Sequence, residues 1–201
     1  MYPTLTEFEE RLYHQGWQML IHDGVRAFTV ENLSRRLGVS KKTIYKTVTS
    51  KEDLIEKIVN YTLSNIKNRI LTTIAEEPNP VKQFIAIGEL LSNFLSHVQD
   101  NRILELKIKY PKVWQLIEDF RFERREQFFN ILFLAEKQGL IKPDFDIDIV
   151  VTLFMQLLNS VFQPEFFVQN NLIIPNTIRL FFKIISEGIF TAEGIKHVES
   201  V

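Results

Sequence analysis

Between Thr29 and Lys46 the residues follow one another in an order that few structures other than two short helices and a tight turn can accommodate. Thr29 can cap a helix start, its hydroxyl taking one of the amide protons left free there. Val30, Leu33 and Leu37 then recur at three- to four-residue spacing, which makes one apolar helix face. Gly38 stands where that helix must stop, a place that favours a residue free to take positive φ. Val39 is the apolar peg of the turn and Ser40 the second cap. Ile44, with Val48, points inward and leaves Lys41, Lys42, Thr43, Tyr45 and Lys46 outside.

Charge makes this segment unusual. The chain carries a net charge of -1, yet six Lys or Arg and no Asp or Glu fall between Arg35 and Lys51. Positive charge gathered on a helix-turn-helix pattern implies docking on phosphate, with the start of the second helix reaching base edges. A further helix start follows at Ser50, with Asp53 three residues on, as in a capping box. Glu52 and Asp53 suit the positive end of that helix. Lys51 does not, unless an anion such as a DNA phosphate lies beside it.

From Leu12 to Ile55 the chain resembles the DNA-binding domain of TetR-family transcriptional regulators. The motifs that carry the resemblance are Gly24, Thr29-Val30, Gly38-Val39-Ser40, Thr43-Ile44-Tyr45 and Ser50-Lys51-Glu52-Asp53-Leu54. The resemblance implies that Thr43, Tyr45 and Lys51 contact the DNA backbone and that Lys41, Lys42 and Lys46 face the major groove. Thr29 and Ser40, the two caps, complete the expected DNA-facing set. The chain departs from the family at Thr47 and Val48, where an aromatic pair is usual, at Gly16, where Ala is common, and at Leu20, where Phe is frequent. A glycine inside a helix costs about 1 kcal/mol relative to alanine, so this domain is expected to pack less closely than its relatives.

The remainder reads as helix. The expected fold is all-α: a three-helix helix-turn-helix domain in residues 1–58, then a larger ligand-binding and dimerisation domain in 59–201, about nine helices in total. One long helix is expected from Ser50 to about Ala75, and another from Val81 to Val98. A short one should cover Arg102 to Lys109, and a single helix should run from Pro111 to near Gly139. The last two are expected at about 146–163 and 176–190, with Pro164 and Pro175 bracketing a linker. Both are apolar around most of their circumference, which a second copy of the chain would cover as an isologous homodimer; a monomer with both helices central in its own core is the alternative.

Fifteen of the seventeen phenylalanines lie beyond residue 80. Core packing explains them, and so does an apolar effector pocket walled by Phe84, Phe94, Trp114, Phe120, Phe128 and Phe154, with Arg121 meeting a ligand carboxylate. The cluster Arg121, Arg124 and Arg125 also reads as a solvated face paired with Glu118, Glu123 and Glu126. There is no cysteine, and the histidines at 14, 22, 97 and 197 form no metal-type pair. No nucleophile elbow, P-loop or dinucleotide glycine pattern is present, so neither catalysis nor a cofactor is expected. The N-terminus lacks a basic-then-apolar leader. The longest apolar stretch, near 147–162, is interrupted by polar residues and falls short of the roughly 20 that a membrane span needs. The expectation is therefore a cytoplasmic, homodimeric regulator that binds double-stranded DNA, a repressor released by a small apolar effector. The alternative is a ligand-binding helical module whose DNA binding is weak or non-specific.

Overall fold

The computed structural model describes residues 5–96, 98 and 100–196, with side chains for all of these except 100 and 101. His97 and His197 lie outside the described residues. The regular elements are helices: α1 (Glu7–His22), α2 (Gly24–Ala27), α3 (Val30–Leu37), α4 (Lys41–Ile44), α5 (Lys51–Glu76), α6 (Pro80–Phe94), α7 (Asp100–Lys109), α8 (Pro111–Phe122), α9 (Arg125–Lys137), α10 (Ile147–Val161), α11 (Pro164–Asn170), α12 (Ile174–Ile189) and α13 (Ala192–Lys196). The all-α class is as expected, and the described residues contain no strand.

The surplus over about nine helices has local causes. The helix expected over 111–139 is two, α8 and α9, because the Arg124 amide turns back to the Arg121 carbonyl (3.1 Å), a tightened i−3 bond. Neither proline nor glycine marks that break. The expected linker between Pro164 and Pro175 contains α11, which Pro164 opens and a left-handed Asn171 (φ 50°) closes. Pro175 does not precede α12 but sits in its first turn, where its missing N–H leaves nothing unpaired.

The chain forms two compact units. The first comprises Met1–Ile66 and His97–Ile117, the second Lys67–Ser96 and Glu118–Val201. This division differs from the expected 1–58 and 59–201, since Leu106 of α7 and Val113 of α8 enter the core of the N-terminal helices.

In the first unit Leu12, Phe28, Leu33, Ile44, Leu54, Ile55 and Ile58 are wholly buried. α1 opens with a reciprocal capping box: the Glu9 amide donates to the Thr6 hydroxyl (3.2 Å) and the Thr6 amide to the Glu9 carboxylate (2.9 Å). Those bonds hold the Glu9 carboxyl below its ordinary range. The expected looseness around Gly16 is absent. The Ile58 side chain lies directly on the Gly16 backbone, in the space a Cβ would take, and Leu20 is buried.

In the second unit α6 packs on α9 and α12, and α9 on α10. The Phe84 ring meets those of Phe128, Phe154, Phe182 and Phe190 at centroid distances of 5.9, 5.4, 5.1 and 5.7 Å. The Ser92 hydroxyl donates to the Pro175 carbonyl (3.0 Å) and ties α6 to the start of α12.

Gly16→Ala sets a helix-propensity gain of about 1 kcal/mol against overpacking of about 1–3 kcal/mol at a rigid neighbour. Thermal denaturation should show a net loss of stability, and the double change with Ile58→Val should recover part of it. A more stable single variant would show that Ile58 moves aside freely.

Candidate nucleic-acid interface

α4 spans only four residues, too short to hold its own shape. Its position comes from its flanks. Thr29 caps α3 by accepting the Asn32 amide at 3.0 Å. Gly38 closes α3 in the left-handed region (φ 68°, ψ 29°), which lets the Val39 amide return to the Ser34 carbonyl at 3.0 Å. Ser40 then caps α4: its hydroxyl accepts the Thr43 amide (3.1 Å) and lies 2.9 Å from the Thr43 hydroxyl. Ile44, fully buried, pins the turn to the core, and Val48 is buried beside it. The Thr47 hydroxyl, at a place where the family has an aromatic, donates to the Ile44 carbonyl (2.8 Å) and tightens the exit from α4.

With Ile44 inward, Lys41, Lys42, Tyr45 and Lys46 are exposed and Thr43 is half-buried. Tyr45 leaves 49% of its surface to solvent, high for a tyrosine without a partner surface. Lys42 and Lys46 meet no carboxylate at ion-pair distance among the described residues. Lys41 does: its ammonium lies 2.8 Å from the Glu31 carboxylate, which Arg35 also approaches at 3.6 Å. The hydrogen bond and charge of Lys41 pull the Glu31 carboxyl below its ordinary value, with Arg35 adding a smaller push. Glu31 lies outside the residues expected to face DNA, although its spacing to Arg35 is that of an i,i+4 pair.

Lys51 is the first residue of α5. Its ammonium points back into the domain, 3.4 Å from the Val25 carbonyl and 5.8 Å from the centre of the Phe28 ring. Burial, then the nearby Lys109, pushes its pKa down. Ser50 caps α5 by accepting the Asp53 amide (3.0 Å), while the Asp53 carboxylate takes the Thr49 amide (2.7 Å). The capping box therefore closes one residue earlier than the spacing suggested.

The residues expected to wall an effector pocket are only partly assembled. Phe84, Phe128 and Phe154 share the ring cluster of the second unit. Phe94 is half-buried in the last turn of α6, and Phe120 lies under the Arg124 guanidinium at 4.7 Å. Arg121 donates to the Phe162 carbonyl at 3.0 Å. Trp114 belongs to the first unit, with the Lys107 ammonium 5.6 Å above its ring. The arginine cluster is a solvated face only in part: Arg124 is buried although it pairs with the exposed Glu123 (3.0 Å), and the exposed Arg125 reaches Asp148 (3.7 Å) rather than a neighbouring glutamate. On the helices expected to dimerise, Ile149, Leu153 and Leu157 lie exposed along one line of α10, and Leu180 and Ile184 along α12. No single helix among the described residues is long and apolar enough to cross a membrane.

Two short helices with a left-handed glycine between them, and a cationic outer face on the second, define a helix-turn-helix DNA-binding regulator. Residues 12–58 match the model of the bacterial regulatory proteins of the tetR family, so this segment is similar in sequence to the DNA-binding part of those regulators. A similar curated protein is the repressor KstR2 of Mycobacterium tuberculosis, 22% identical over 136 residues, 66% of this chain and 68% of that one. Another is the regulator YvaF of Bacillus subtilis, 22% identical over 92% of this chain and 97% of its own length. Among solved structures, the fold is similar to that of FadR from Bacillus subtilis in complex with stearoyl-CoA, with a TM-score of 0.65 at 16% identity, covering 90% of this chain and 98% of that one.

Replacing Glu31 with Gln releases Lys41 and removes a negative charge beside the cationic outer face of α4. Affinity for every DNA sequence should rise severalfold at low salt and fall more steeply with added salt, in the sense of about one more phosphate contact. Fluorescence anisotropy on matched and scrambled duplexes at two salt concentrations measures both; unchanged binding would show that the Lys41–Glu31 pair is immaterial.

Proposed function

We propose that the chain acts as a homodimeric repressor whose two α4 helices read adjacent half-sites of one operator, and that a small, largely apolar effector releases it. The observation that carries the reading is the outer face of α4, where Lys42, Tyr45 and Lys46 are exposed and neither lysine meets a carboxylate at ion-pair distance among the described residues, as suits a helix that reads the major groove. In this reading Lys41, Lys42 and Lys46 address the groove. Thr43 and Tyr45 address phosphates, and the amides at the capped starts near Thr29 and Ser40 assist them. Lys51 contributes by holding the start of α5 to the Val25 carbonyl as well as by charge.

The exposed lines Ile149–Leu153–Leu157 and Leu180–Ile184 support pairing of α10 and α12 with the same helices of a second copy. Exposed leucine and isoleucine spaced along one helix face are what an isologous interface covers. Similarity to KstR2, whose structure is described as that of a ketosteroid regulator, and to FadR with stearoyl-CoA supports an apolar effector held by the second unit, where the phenylalanines gather. The effector would shift the dimer between two populations that differ in recognition-helix separation and therefore in operator affinity.

A second reading, a ligand-binding module with weak DNA contacts, is favoured by the internal engagement of Lys41 and Lys51. Selecting bound DNA from a random library at about 150 mM salt, where non-specific binding is poor, separates the two. Recovery of a two-fold symmetric site supports the repressor, and recovery of no site supports the module.

Two substitutions sharpen the division of roles. Leu153→Glu should give a monomer by light scattering and lower operator affinity at least about tenfold, because one short helix lacks the contacts of two. Lys42→Ala should alter the selected sequence, at a cost of about 1–3 kcal/mol on the preferred base pair. Equal losses on every sequence would make Lys42 a phosphate contact instead.

A further inference from the structure

Arg124 occupies the N-cap of α9 and is 6% exposed. One guanidinium nitrogen, Nη2, donates to the exposed carboxylate of Glu123 at 3.0 Å, while Nε and Nη1 are buried without a hydrogen-bond partner among the described residues. The guanidinium plane has the Phe120 ring at 4.7 Å for support. A cation at the positive end of a helix, withdrawn from water with donors unmatched, is unfavourable on each count. The N-cap side chain supplies no acceptor for the first-turn amides of α9 either. One turn further on, the Gln127 side-chain oxygen is also buried without a donor. On α10 both side-chain amide atoms of Asn159 are orphaned, although its backbone carbonyl takes Gln163 Nε2 (2.8 Å), a nitrogen that also reaches Glu118 of α8 (3.1 Å).

Unmatched buried donors and a helix start without a cap ask for the same thing, an anion. We propose that the turn joining α8 to α9 binds the carboxylate of a small amphiphilic acid, with Arg124 as its counter-charge and the first-turn amides of α9 as further donors. This deepens the effector reading above and rests on it. The apolar part of the ligand is implied by the flanking rings, Phe120 before the turn and Phe128 one helical turn after Arg124, the latter leading into the Phe84 and Phe154 cluster. One guanidinium, already shared with Glu123, balances a single negative charge rather than a phosphate dianion.

The test uses the full-length protein, with dodecanoate, dodecanol and inorganic phosphate as probes, titrated calorimetrically below micellar concentrations. Dodecanoate should bind at least about tenfold more tightly than dodecanol, the scale of a charge-assisted hydrogen-bonded pair, and phosphate should not bind. In Arg124→Met the preference for acid over alcohol should collapse to within about twofold, with dodecanol affinity unchanged; Arg124→Lys should keep part of it. Without ligand, Arg124→Met should melt no lower than the unsubstituted protein, since it removes an unmatched buried charge. Equal binding of acid and alcohol, tight phosphate binding, an intact preference in Arg124→Met, a destabilised Arg124→Met or no binding of any probe would each overturn the site. Operator release, followed separately by anisotropy, distinguishes it from the effector reading. Release by dodecanol as readily as by dodecanoate keeps the effector and removes the Arg124 site. Binding through Arg124 without release does the reverse.

Discussion

The buried side chain of Ile44 is the contact on which the cationic outer face of α4 depends. α4 has one turn of helix, and a single turn fixes more backbone than its own hydrogen bonds repay. What holds it is external: the left-handed Gly38 that sets its direction, the Ser40 hydroxyl that satisfies its first amides, and Ile44 anchored among Leu33, Leu54 and Ile58. Every outward residue of α4 inherits its direction from that anchor, because Lys41, Lys42 and Tyr45 lie within one turn of it. Rigidity at this surface thus comes from the core rather than from the surface residues themselves.

Electrostatics adds a second layer. A chain of net charge -1 attracts DNA only through local asymmetry, so the disposition of each nearby carboxylate counts. Glu31 stands between Lys41 and Arg35, and Asp23 pairs with Arg36. These exposed pairs add little to stability. They do set how much free positive charge the surface presents before DNA arrives, and they hold the lysine and arginine arms of α3 and α4 in place.

Helix ends proved legible in the sequence wherever their cause is local. Thr29, Gly38, Ser40 and Ser50 act through bonds to residues three to five positions away, and each does what its type and place suggest. Burial of Ile44 and Val48 was legible for the same reason, since helical spacing determines it. The division between α8 and α9 was not. No breaker residue marks it, and Arg124 is buried there by packing on Phe120 that no periodicity encodes. α11 was hidden by the reverse error, two prolines read as the ends of a linker when each sits in the first turn of a helix. The reading of Gly16 as a weakness failed because the compensating atom comes from Ile58, 42 positions along the chain.

The same contrast bears on the second unit. Phe84 has four ring neighbours within 6 Å, so its surroundings are filled by tilted and edge-on aromatic contacts. Such a core supplies stability but offers no chemical discrimination, since a ring face treats one apolar group much like another. Discrimination needs polar groups, and these are costly to bury: each unmatched donor or acceptor loses about 1–3 kcal/mol. Arg124 Nε and Nη1, Gln127 Oε1 and the Asn159 amide carry that cost together in α9 and α10. A purely structural role gives no return for it, because a methionine would fill the space of Arg124 without leaving a donor unmatched. A regulator gains from it directly, since an anion that accepts from the unmatched Arg124 donors recovers in binding part of what the free protein forgoes in stability.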